Sequence, residues 1–149
     1  ALPFPIATGE RLCGRWEFRE LLEKRACSIV QPDVSHCGGI SEARRIAALA
    51  ETYLVSVACH NPQGPVSTAA SIHVAFATPN YLIQEIVRND VAWRNDVIQE
   101  ALPFEAGECT APTKPGLGVE INETEAAKHP FKEIVSTASF HRDGSVADW

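Results

Sequence analysis

Hydrophobic residues along this chain fall into two alternating patterns. Four short runs are apolar almost throughout: "LPFPIA" at residues 2–7, "CSIVQ" at 27–31, "LVSVA" at 54–58 and "YLIQ" at 81–84. None alternates cleanly with polar residues, as a strand with one wet face would. Such runs suit parallel strands covered on both faces. Between them the apolar positions recur at helical spacing. "RWEFRELLEK" turns Trp16, Phe18, Leu21 and Leu22 toward one side. "GGISEARRIAALAETY" carries a broad stripe of Ile40, Ala43, Ile46, Ala47, Leu49 and Ala50. Ser41 and the two glycines before it fit the start of that helix. "GPVSTAASIHVAFATP" predicts a third helix that opens near Pro65 and stops before Pro79, with Pro65 suited to its first turn.

The predicted order is βαβαβαβ, hence a parallel sheet with right-handed crossovers. The residue just past each strand is more telling. Glu10 stands after the first, Asp33 after the second, His60 after the third and Glu85 after the fourth. They are separated by 23, 27 and 25 residues, each about one βα unit of a barrel that needs roughly 250 residues for eight. In a (β/α)8 barrel all the carboxyl ends of the strands open on one face, the face that carries catalysis. The fold expected is therefore α/β, the second half (strands 5–8) of a TIM-type barrel, within a longer enzyme. The chain divides into two regions, residues 1–100 as the barrel half and 101–149 as an extension packing back on the barrel or on a capping domain. Strands at residues 2–7 and 81–84 would then have unpaired outer edges. The competing reading is a self-contained flavodoxin-like sheet. It would want a glycine-rich phosphate loop after the first strand, where "TGERLCG" stands instead.

Composition narrows the partners. A chain of 149 residues, 45% hydrophobic, can hold a real core. Its net charge of -6 would repel nucleic acid and anionic membranes. No apolar run approaches the roughly 20 residues that span a bilayer. The five cysteines form no C-x-x-C pair and suit free thiols in the cytoplasm. Cys59 beside His60 does not make a Cys-His nucleophile, because neighbours on a strand point to opposite faces.

The chemistry starts from His60 in "LVSVACHNPQGP", at the break between a buried strand and a turn. Asp33 ends the adjacent strand and is placed to accept the ring N–H, which fixes the tautomer and makes the other nitrogen more basic. Glu10 and Glu85 would bind a hard cation such as Mg²⁺ or hydrogen-bond a substrate. With no serine or cysteine partner, proton removal beside a carboxylate fits better than acyl transfer.

"PIATGERL", "QPDVSHCGGISEARRIAALAE", "HNPQGPV", "LIQE", "KPGLGVEIN" and the closing "RDGSVADW" together resemble the carboxyl-terminal barrel half of the enolase superfamily, in its mandelate racemase subgroup. Within it the likeness is to the D-galactonate and related sugar-acid dehydratases. The resemblance implies a Mg²⁺-dependent lyase. It implies that Glu10 is a metal ligand, Asp33 the dyad aspartate, His60 the general base, and Glu85 the group that hydrogen-bonds the substrate carboxylate. The other two ligands, the general acid and the capping domain would lie before residue 1, so this chain alone would be inactive. A racemase, epimerase or cycloisomerase shares the first half-reaction and stays open, as does an inactive truncated product. The substrate class implied is a small acid sugar, with a homo-oligomer for the full-length enzyme.

Other histidines have plainer expectations. His36 falls in the loop after Asp33, His73 inside a helix as a packed or surface residue, and His129 and His141 in a solvated tail. Arg11 would reach an anionic substrate or form a salt bridge at the helix start. The "NPQGP" loop should line the site.

Overall fold

The computed structural model describes residues 2–88, 90–133, 140–145 and 147. The remainder of the 101–149 extension, and part of "RDGSVADW", lie outside the described residues. Three βα units come first. Strand β1 (Ala7–Thr8) leads to α1 (Gly14–Glu23), β2 (Ile29–Val30) to α2 (Ile40–Thr52), and β3 (Ser56–Val57) to α3 (Pro65–Phe76). The sheet runs β1-β2-β3, all parallel, with Thr8 beside Val30 and Val30 beside Val57. Tyr81 continues it by a single parallel bridge to Val57. The strand expected over residues 81–84 is thus reduced to one bridge, flanked by bonds from the Val57 N–H to Asn80 O and from the Leu82 N–H to Val57 O.

The core lies between the sheet and the helices. Phe18, Leu22, Ile46, Val30 and Val57 are its largest fully buried apolar side chains near the sheet. Three local expectations are corrected. Trp16 is 67% exposed, its ring covered on one face by the Arg15 guanidinium at 4.4 Å. Residues 18 and 22, one turn apart, point inward, and Trp16 lies off that line. Ser41 does not start α2. The chain enters that helix through Gly38 and Gly39 at φ +112° and +87°, and Gly39 is the N-cap. Leu54 does not open the third strand. It takes φ +59°, closes α2 by donating its N–H to Glu51 O at 3.0 Å, and points into solvent.

Gly9 needs to be glycine. It has φ +129°, and a Cβ there would stand 2.6 Å from Phe18 Cε1. Its close seat on α1 fixes where the next residue, Glu10, leaves the sheet.

The outer positions are open. The strand expected over residues 2–7 is shortened to Ala7–Thr8, and Leu2, Phe4, Leu82 and Ile83, outside the strands, are 58–67% exposed. Beyond residue 100 the chain makes an antiparallel hairpin, β4 (Phe104–Glu105) with β5 (Glu108–Cys109). A bridge joins Ile98 to Ile121, and the short helix α4 (Glu123–Ala126) is capped by Asn122. His129, expected in solvent, instead stacks on Trp93 at 4.0 Å between ring centroids and contacts Glu125. His141 is exposed. Among the described residues, no helix is long and apolar enough to cross a membrane.

Candidate active site

All four strand ends deliver their polar residue to the same side. Parallel pairing without a register break brings this about, because each strand ends two to four residues before its polar group. At the centre, His60 Nδ1 lies 3.0 Å from Asp33 Oδ2. Asp33 is fully buried. Its Oδ1 accepts the Ser35 N–H at 2.7 Å, and Gln63 Nε2 approaches Oδ2 at 3.4 Å. A buried carboxylate with donors on both oxygens has one orientation available. It holds the imidazole with its proton on Nδ1 and leaves Nε2 as the basic nitrogen. That nitrogen faces Glu10, whose Oε2 is 3.7 Å away. His60 keeps about a fifth of its side chain exposed and Glu10 about half, so both line an accessible mouth.

Glu85 sits on the other flank of His60. Its Oε2 accepts the Asn61 N–H at 3.0 Å. The four residues expected at the strand ends are therefore gathered at one face. The "NPQGP" loop lines the site as expected, through Asn61 and Gln63. Arg94 donates to Gln63 O at 2.7 Å and pairs with Asp90, holding that carboxyl down at about 2.

His36 is exposed, and its backbone N–H caps the turn at Asp33 O. Cys59 is fully buried. Burial pushes its thiol up to about 11, which leaves it protonated and inert at neutral pH. All five cysteines are free.

Sequence reasoning missed how Tyr81, Gln84 and Asn61 serve the site. The Tyr81 hydroxyl accepts the Cys59 N–H at 3.1 Å and donates to Gln84 Oε1 at 2.7 Å. Burial raises its phenol well above the usual range, so it stays a neutral hydrogen-bonding group. The only signal in the sequence was a polar residue directly after the base and an aromatic hydroxyl four residues before Glu85.

For a hard cation, this chain offers Glu10. One half-exposed carboxylate fits Mg²⁺, which takes one or two carboxylates and keeps several waters. Among the described residues no group of three His, Cys, Asp or Glu is placed to hold a metal.

The chain is similar to known proteins in both sequence and fold. A D-galactonate dehydratase of Cronobacter sakazakii is 42% identical over 97% of this chain and 40% of its own length. A D-galactonate dehydratase family member of Streptomyces bingchenggensis is 40% identical over 97% of this chain and 36% of its own. The chain thus spans about two-fifths of the length of these curated relatives. The fold superposes on a mandelate racemase/muconate lactonizing enzyme from Sulfitobacter sp. with a TM-score of 0.84 at 42% identity, covering 89% of this chain and 33% of that one. An enolase from Agrobacterium radiobacter, solved with Na and L-malate bound, gives 0.84 at 34% identity, covering 95% and 40%. Residues 1–125 match the family described as enolase C-terminal domain-like. The three parallel βα units and the Tyr81 bridge, with a carboxylate or imidazole past each, are half of a (β/α)8 barrel, and the chain belongs to that enolase family.

Proposed function

We propose that this chain supplies the proton-abstracting half of a sugar-acid dehydratase site, with D-galactonate as substrate. The observation that carries the reading is the Asp33–His60 pair, a buried carboxylate on Nδ1 and an accessible Nε2. The names of the curated relatives support the substrate.

His60 Nε2 takes the proton from the carbon alpha to the substrate carboxylate, and the C–H electrons move into that carboxylate to give an enediolate. The imidazolium that forms is stabilised by Asp33. Glu85, from the neighbouring strand end, hydrogen-bonds the substrate carboxylate through the O–H of its protonated form, the only form with a hydrogen to donate. The enediolate electrons then return to form the carbon–carbon double bond as the beta hydroxyl leaves. That hydroxyl takes a proton from an acid outside this chain and departs as water. The enol left behind tautomerises to 2-keto-3-deoxygalactonate. Mg²⁺, held in part by Glu10, would offset the negative charge that develops on the carboxylate.

The test is a complete barrel, with this chain replacing the matching segment of the Cronobacter sakazakii relative. We expect it to dehydrate D-galactonate in a sugar-acid panel. His60→Asn should lower turnover by about 10²- to 10⁴-fold with Mg²⁺ affinity nearly unchanged. Glu10→Gln should weaken both. Turnover by the His60 variant within tenfold of the unsubstituted protein would overturn the mechanism. Turnover confined to another acid sugar would overturn the substrate alone.

A further inference from the structure

Asn61 is fully buried between the ends of β3 and the Tyr81 bridge. Its backbone N–H donates to Glu85 Oε2 at 3.0 Å. Its side-chain Nδ2 donates to the Glu85 carbonyl at 3.0 Å and to Thr68 Oγ1 at 2.9 Å. The orientation of this amide follows from its neighbours. The Thr68 hydroxyl has one hydrogen, and it goes to Gly64 O at 3.2 Å, so toward Asn61 it accepts. The Glu85 carbonyl also accepts. A flipped amide would set oxygen against oxygen in both places.

The arrangement leaves Asn61 Oδ1 buried with no hydrogen-bond partner among the described residues, a costly state for an amide oxygen. Packing alone would be served better by an apolar side chain of similar shape. The residue is instead explained by its two donors. The Glu85 carbonyl takes a second hydrogen bond, from Gln84 Nε2 at 2.7 Å, and Gln84 is itself anchored by Tyr81. Glu85 is thus gripped at its carboxylate by one donor and at its carbonyl by two.

We propose that Asn61 is a positioning residue for Glu85. It locks both the backbone and the carboxylate of Glu85 to the strand end that carries His60, and so fixes the distance between base and carboxylate-binding group without touching substrate. The inference rests on the reading of Glu85 as the substrate-facing group.

The test uses the ¹⁵N-labelled chain with no substrate present. An amide proton that donates to a carboxylate shifts as that carboxylate is protonated. The Asn61 amide should therefore move with pH, and the part of that movement lost in Glu85→Gln is the part read. In Asn61→Leu the backbone N–H and the bulk remain while both side-chain donors are lost. The amplitude at residue 61 should fall at least about twofold, with the Val30 and Val57 amides unmoved as a check on folding. Thr68→Val removes one acceptor and should give a smaller fall. It serves as the deciding variant if Asn61→Leu does not fold. An Asn61 amide that ignores pH, or full amplitude in a folded Asn61→Leu or Thr68→Val chain, overturns the proposal. Because no substrate enters, an inactive chimeric barrel with normal tracking defeats the dehydratase reading alone. An active chimera without tracking defeats the role of Asn61 alone.

Discussion

The second strand end and the first treat a carboxylate in opposite ways. Asp33, after β2, has strands on both sides. It is fully buried and receives Ser35, His60 and Gln63. Glu10, after β1, has a neighbour on one side only. It is about half exposed, and its contact with His60 is 3.7 Å long. Where both neighbours are present, this chain builds the whole environment of a functional group. Where one is absent, it supplies the group but not the environment. The Asp33–His60 pair is thus enclosed by this chain's own residues, and the Glu10 carboxylate stands half in solvent.

The sharpest way to break this comparison is to remove each carboxylate. Asp33→Ala should cost about 4 kcal/mol, because it leaves buried donors and an imidazole unpaired. Glu10→Ala should change stability by no more than about 0.5 kcal/mol. Urea unfolding of the two variants checks this, and equal losses would end the distinction. A second contrast uses apolar residues. Leu22, 1% exposed, stands against Leu82, 58% exposed at the open edge. Leu22→Ala should cost about 3 kcal/mol and Leu82→Ala well under about 1 kcal/mol, read from the same unfolding curves.

The smallest expected effect is a slope. Glu42 ties α1 to α2 by accepting the Arg15 N–H at 2.9 Å. That bond, opposed by partial desolvation and helped by Arg45, holds its carboxyl below the usual 4.5. A group lowered in the folded state contributes its stability in full above its unfolded value. It loses that contribution as pH falls through the folded one. Urea midpoints from about pH 6 to about pH 3 should therefore fall more steeply in the natural chain than in Glu42→Gln. Parallel slopes would remove this carboxylate from the account.

Much of the inner region is legible in the sequence because its signals are periodic. Buried strands read as apolar runs, helices as stripes, and the strand ends as spaced polar residues. The features that escape such reading are decided by single backbone angles or by distant contacts. Leu54 has the look of a strand residue but adopts a left-handed turn conformation. Ser41 has the look of a cap, yet Gly39, with positive φ, takes that position. His129 gives no sign of its ring contact with Trp93, which lies 36 residues away. Asn61 reads as part of a turn, and only the positions of Thr68 and Glu85 reveal where its amide donors go.

The even spacing of the strands has a consequence for how the chain folds. The pairings join residues 7 and 29, 29 and 56, and 57 and 81. Closing loops of 22, 27 and 24 residues differs in entropy by only about 0.2 kcal/mol. No pairing has a head start from chain length, so the order of assembly falls to the apolar burial each one completes. Val30 and Val57, both fully enclosed, make the β2–β3 pair the expected nucleus, with β1 and Tyr81 joining later. In stopped-flow kinetics, Val57→Ala should then slow folding, while Ala7→Gly should mainly speed unfolding. A slower folding limb for the Ala7 variant alone would move the nucleus to the edge.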